Sequence, residues 1–150
     1  MHNKLLQGLR SLAQHIKDKL ITISCFLNHV PDSRTGLSAH YDENIWLASA
    51  GGGIGGYWGD VRSNGTSTSN GSKSTGSIPF MHVVDSQMLA FNQGVTRRGS
   101  YAAYMDIDHP EVEEFIAMRK TTGGDLNRKC LNLHNGVNIT NEFLDAVKED

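Results

Sequence analysis

The sequence predicts an α/β fold. Apolar residues recur three and four apart in some stretches and at every second position in others, the two signatures of helix and strand. Extended segments at residues 20–27, 101–107 and 129–139 are separated by helical ones, as expected of strands joined by crossover helices. Composition agrees: 150 residues, 38% hydrophobic and 20% charged, suit a folded domain with a sizeable core.

The same numbers exclude some partners. A net charge of -2 argues against a nucleic acid or membrane held mainly by electrostatics, and no apolar run approaches a membrane span. Cys25 and Cys130 lie far apart with no C-x-x-C, so neither a disulfide framework nor a zinc site can be read. The simplest compartment is reducing, hence cytoplasmic.

Residues 1–19 place Leu5, Leu6, Leu9, Leu12, Ala13 and Ile16 at helical intervals, an amphipathic helix too interrupted by polar residues for a secretory signal. Residues 20–27 change period. Ile21, Ile23, Cys25 and Leu27 share one side of an extended chain, and the few polar interruptions predict burial on both faces. Cysteine is among the most buried residue types, so residue type alone makes Cys25 structural. A turn at residues 31–36 leads into a helix through Tyr41, Ile45 and Ala48.

Gly51-Gly52-Gly53-Ile54-Gly55-Gly56 organises the rest. Five glycines in six positions strip the backbone of side chains, so a ligand can approach its N–H groups and φ can take either sign. The letters satisfy G-x-G-x-x-G, but a helix leads in and a loop leads out, the reverse of a dinucleotide fingerprint. Two readings stay open: a helix C-cap with a turn, or a ligand loop.

Residues 64–77 (NGTSTSNGSKSTGS) are too polar to fold alone and read as a flexible linker or a hydroxyl-rich ligand loop. Ser77 is placed to cap a helix with Phe80, Val83, Val84, Met88 and Phe91 as its stripe, ending at Gly94. Residues 92–100 carry two guanidiniums and two amides, suited to phosphate and a base edge or simply to a solvated turn. After the strand at 101–107, Asp108 is expected to cap a helix bearing Val112, Phe115, Ile116 and Met118. The strand at 129–139 precedes a last helix capped by Thr140 or Asn141.

Ser24-Cys25-Phe26-Leu27-Asn28, Asp32-Ser33, Asn44-Ile45-Trp46-Leu47-Ala48 with the glycine run, Arg62-Ser63, Ile78-Pro79-Phe80, Gln93-Gly94 with Arg97-Arg98-Gly99, His109-Pro110-Glu111 and Thr122-Gly123-Gly124-Asp125 carry a resemblance. Their order and spacing resemble the large, catalytic subunit of class I ribonucleotide reductase. It covers residues 20–150; residues 1–19 do not resemble the family.

The resemblance implies the first strands of a ten-stranded α/β barrel, and a ribonucleoside-diphosphate reductase that makes 2′-deoxyribonucleotides by radical chemistry. It makes Cys25 one of two redox cysteines, reversing the structural reading, and leaves Cys130 structural. Ser24, Gly52 and Gly53 would bind substrate. Asp32, Ser33, Arg62 and residues 64–77 would frame an allosteric site for ATP or a deoxynucleoside triphosphate, with Gln93 and Arg97 relaying effector identity to the substrate. No cofactor is bound directly. The implied partners are the remainder of the large subunit, a metal-containing small subunit that supplies the radical, thioredoxin or glutaredoxin, and a second copy across the helices from Pro79 and His109. The family's Asn-x-Cys-x-Glu radical motif does not occur in this sequence, so the chain alone is expected to be inactive. The alternative is a catalytically inactive module that binds nucleotide and dimerises.

Overall fold

A computed structural model describes residues 25–91 and 99–149. Their elements are β1 (Cys25–His29), α1 (Arg34–Ser49), β2 (Gly53–Tyr57), α2 (Ile78–Ala90), β3 (Ser100–Asp106), α3 (Val112–Ala117), a 3-10 turn (Leu126–Arg128), β4 (His134–Asn138) and α4 (Asn141–Glu149). The four strands form one parallel sheet in the order β1-β2-β3-β4. The helix expected at residues 1–19 and the first part of the expected strand, residues 20–24, lie outside the described residues.

The register divides the sheet into two unlike faces, because residues paired across parallel strands point the same way. Ile54, Tyr101, Ala103 and Met105 face α1, α2 and α3 and are buried with Leu37, Ala48, Ile78, Met81, Val84, Met88 and Phe115. The opposite face carries Cys25, Leu27 and His29 from β1, Gly53, Gly55 and Tyr57 from β2, and Ser100, Ala102 and Tyr104 from β3. Among the described residues that face is open: Leu27 is 84% exposed. All-parallel sheets are ordinarily covered on both sides. The expectation that the first strand is buried on both faces therefore fails for β1, whose outward residues alternate with half-buried Phe26 and Asn28.

The largest correction concerns the glycine run. Only its start is a bend. Gly51, at φ +76°, follows the C-cap Ala50; its N–H reaches Ala48 O at 2.9 Å and the Gly52 N–H reaches Leu47 O at 3.0 Å. This double closure with a left-handed glycine is a Schellman cap. The chain then enters the sheet at once as β2 rather than continuing as a loop. The glycines there make room for neighbouring strands: a Cβ on Gly55 would stand 2.6 Å from Leu27 Cδ2, and one on Gly56 would stand 1.6 Å from Tyr101 Oη.

Other boundaries shift for local reasons. α1 begins at Arg34, inside the expected turn, because Ser33 Oγ accepts the Gly36 N–H at 3.0 Å and caps it. α2 buries Met81 and Asp85, while Val83 and Phe91, assigned to its stripe, are exposed. Asp85 is buried because its carboxylate accepts the Asn132 and Leu133 N–H groups at 2.8 and 2.9 Å. Glu111, not Asp108, occupies the N-cap position of α3, and Ile116 is exposed. β4 is shorter than expected, with Cys130 and Leu133 buried just before it. Thr140 caps α4, its Oγ1 accepting the Phe143 N–H at 3.2 Å.

Candidate functional site

Two places gather the predicted residues. The first is the open sheet face. Cys25 and Gly53 are register partners on adjacent strands, which puts their Cα atoms about 4.8 Å apart in the strand-to-strand direction. The thiol-bearing residue is exposed, and opposite it stands backbone without a side chain. Gly52, one residue back, is packed: a Cβ there would lie 2.8 Å from the Phe26 ring. Its N–H already donates to Leu47, so it reaches a second acceptor only by sharing that hydrogen. Ser24 lies outside the described residues.

At the other end of this face the strands finish in polar groups. The Tyr57 hydroxyl donates to Asp106 Oδ2 at 2.5 Å, which pushes the phenol up to about 12, and Asn138 donates to the other Asp106 oxygen at 2.9 Å. His29 pairs with Asp60 at 2.6 Å. Cys130 contrasts with Cys25: it is fully buried, and burial pushes its thiol up to about 12, leaving no thiolate at neutral pH.

The second place is a cleft of about 590 Å³. Asp32, Ser33 and Arg62 line it together with Arg34, Lys73 and the hydroxyl groups of Thr68, Ser69 and Ser72. Three cationic side chains face one carboxylate, so the cleft favours an anion, and the N-terminus of the 16-residue α1 adds its partial positive charge. Arg62 Nε donates to Asp32 Oδ2 at 2.6 Å, which fixes the guanidinium at the rim. Residues 64–77 are ordered here as an antiparallel hairpin. Gly65 N bonds Ser74 O at 2.9 Å, Ser74 N bonds Thr66 O at 2.8 Å, and Thr68 N bonds Ser72 O at 2.9 Å. The sequence expectation passed over Arg34 and included Lys73, the one charge among residues 64–77, only as part of that loop. Gln93 and Arg97 lie outside the described residues. Among the described residues no group of three His, Cys, Asp or Glu is arranged to hold a metal ion.

The family model for the ribonucleotide reductase barrel domain matches residues 23–150. The chain belongs to this family. A Frog virus 3 protein described as a ribonucleoside-diphosphate reductase large subunit is 56% identical over 128 residues, covering 85% of this chain and 21% of its own length. The ribonucleoside-diphosphate reductase large subunit of Invertebrate iridescent virus 3 is 42% identical over 127 residues, 85% of this chain and 19% of that one. The class Id ribonucleotide reductase alpha subunit of Actinobacillus ureae superposes with a TM-score of 0.69 at 28% identity, covering 88% of this chain and 23% of its own. The chain thus spans about a fifth of the length of these relatives. Its four parallel strands are a partial α/β barrel of the reductase type, and in that setting the open face is the side a closed barrel turns inward.

Proposed function

We propose that this chain is part of the large subunit of a ribonucleoside-diphosphate reductase, its reductase part spanning residues 20–150. The observation that carries the reading is the pairing of Cys25 with Gly53 on the sheet face that has no cover among the described residues. A ribose laid across Gly53 meets no side chain there and lies against the thiol. Ser24 would hold the substrate beside it, and Gly52 would act through the bend it packs beneath Phe26.

In this reading Cys25 and a second cysteine in the remainder of the large subunit each give one hydrogen. The C2′–OH bond breaks, the hydroxyl leaves as water, a C2′–H bond forms, and the two sulfurs join as a disulfide. An external dithiol, thioredoxin or glutaredoxin, then reduces that disulfide. The chemistry would begin from a cysteine radical in an Asn-x-Cys-x-Glu motif in the remainder of the large subunit, supplied by a metal-containing small subunit.

The cleft would take ATP or a deoxynucleoside triphosphate. Arg34, Arg62 and Lys73 would neutralise phosphates while the hairpin hydroxyls accept and donate around the sugar. Gln93 and Arg97 would pass effector identity to the substrate side, and two copies would meet through α2 and α3, where Leu89 and Ile116 are exposed. No helix among the described residues is long and apolar enough to cross a membrane; the compartment proposed is the cytoplasm.

The test is complementation. The chain is mixed with a polypeptide carrying the Asn-x-Cys-x-Glu motif, the small subunit and a dithiol, and deoxynucleotide is measured. Multiple turnover that disappears in Cys25→Ser supports the reading. Equal turnover in that variant contradicts the role of Cys25, whereas effector-dependent dimerisation with no turnover from any complementary chain contradicts the reading and favours the inactive module.

A further inference from the structure

We infer that residues 109–111, which do not line the cleft, clamp both stems of the hairpin that walls it, making His109 and Glu111 positioning residues for the bound polyphosphate. The inference rests on the nucleotide reading of the cleft given above.

One stem is held by His109. Its Nδ1 accepts the Glu111 N–H at 3.1 Å, so a neutral ring carries its hydrogen on Nε2, which stands 3.0 Å from Val61 O and donates to it. Val61 and the next residue, Arg62, both line the cleft. The other stem is held by Glu111. This carboxylate sits at the N-cap position of α3 yet makes no capping bond to its own helix. It is 6% exposed, and its Oε2 accepts both the N–H and the hydroxyl of Ser77 at 2.8 Å.

Arg128 completes the second stem. Its Nη2 donates to Glu111 Oε1 at 3.3 Å and its Nη1 to Thr75 O at 2.7 Å, while Glu114 engages the remaining edge of the guanidinium. Thr75 lines the cleft. Gly76 explains the close fit: it has φ +84°, and a Cβ there would stand 1.9 Å from Glu111 Oε1. The chain passes so near the carboxylate that only glycine can stand between them.

Residues 62–76 are thus a polar segment, unable to bury apolar surface of its own, whose two ends are fixed by one short stretch after β3. A wall ordered before binding spares the ligand the entropy of ordering it. Loss of the clamp should release the wall and weaken the cleft together, while leaving the sheet intact.

The test uses the full 150-residue chain, with amide exchange across residues 62–76 and dATP binding measured on Glu111→Ala, His109→Ala and Glu111→Gln. For Glu111→Ala the exchange of the hairpin amides rises at least about tenfold, those of β2 and β3 stay protected, and dATP binds about tenfold more weakly. Glu111→Gln falls between, since its amide oxygen still serves Ser77 while its NH2 opposes Arg128. Hairpin exchange and dATP affinity within about twofold of wild type in both alanine variants would overturn the clamp. If Glu111→Ala also loses protection in β2 and β3, Glu111→Gln and Arg128→Met decide by the same two readouts. A wild-type chain that binds no dATP sinks the nucleotide reading, whereas hairpin exchange still decides the clamp.

Discussion

Replacing Gly56 with alanine separates a glycine kept for packing from a glycine kept for a ligand. The added Cβ would stand 1.6 Å from Tyr101 Oη and 2.5 Å from Cζ, distances no relaxed contact reaches. Tyr101 is 1% exposed, so its ring has nowhere to go without cost. Its hydroxyl accepts from Trp58 Nε1 and lies against His40 Nε2, both at 3.0 Å. Displacement strands the fully buried Trp58 N–H, which costs about 1–3 kcal/mol, and overpacking adds about 1–3 kcal/mol. A loss of about 4 kcal/mol is a large share of the roughly 5–15 kcal/mol that holds a domain. Urea unfolding followed by tryptophan fluorescence reads it, since Trp58 touches the perturbed hydroxyl. Tyr101→Phe in the same background should cost less than the sum of the two single changes, because it removes the atom at 1.6 Å while the Cζ contact remains. Wild-type stability for Gly56→Ala would mean that Gly56 does not house the tyrosine.

Three further outcomes follow from the same geometry. In the native chain a thiol reagent should modify Cys25 and spare Cys130 until denaturant is added; equal rates would contradict the burial that pushes the Cys130 thiol up to about 12. His40 is held neutral, its pKa lowered to about 4 by burial, so the unfolded chain takes up a proton below about pH 6.5 and the native one only below about 4. Its contribution is fully present above pH 6.5 and lost as pH falls to 4, about 3 kcal/mol in all; stability curves of wild type and His40→Gln that run parallel through that window would refute this. Arg62→Ala should weaken dATP binding about tenfold yet shift stability by less than about 1 kcal/mol, since the Arg62–Asp32 pair is about a third exposed; unchanged affinity by calorimetry would remove Arg62 from the cleft's function.

Much of the scaffold could be read from residues alone, and the failures share a cause. α1 was legible through Tyr41, Ile45 and Ala48 and through the glycine that ends it. β2 was not, because a run of glycines has no side-chain period; its strand character comes from Leu27, Tyr101 and Tyr104 filling the space above and below it. α2 was found with Phe80, Val84 and Met88 on its inward side, but Val83 and Phe91 were misplaced because apolar residues surround the helix, and the buried Asp85, tied to Asn132 and Leu133, was missed. The hairpin at residues 64–77 looked structureless because its anchors, Glu111 and Arg128, lie far along the chain. The cleft was half legible: Asp32, Ser33, Arg62 and members of the 64–77 stretch, grouped by the family resemblance, line one cleft, while Arg34 emerged only when the hairpin closed over α1.

Mapping the sulfurs after a single turnover tests the central claim most directly. Complemented enzyme, pre-reduced and given ribonucleotide without external dithiol, should form at most one deoxynucleotide per active site and a matching amount of disulfide joining Cys25 to a cysteine of the complementary chain, identified by peptide mass spectrometry. Product formed while Cys25 remains a thiol throughout would place the reducing sulfurs elsewhere and contradict the account.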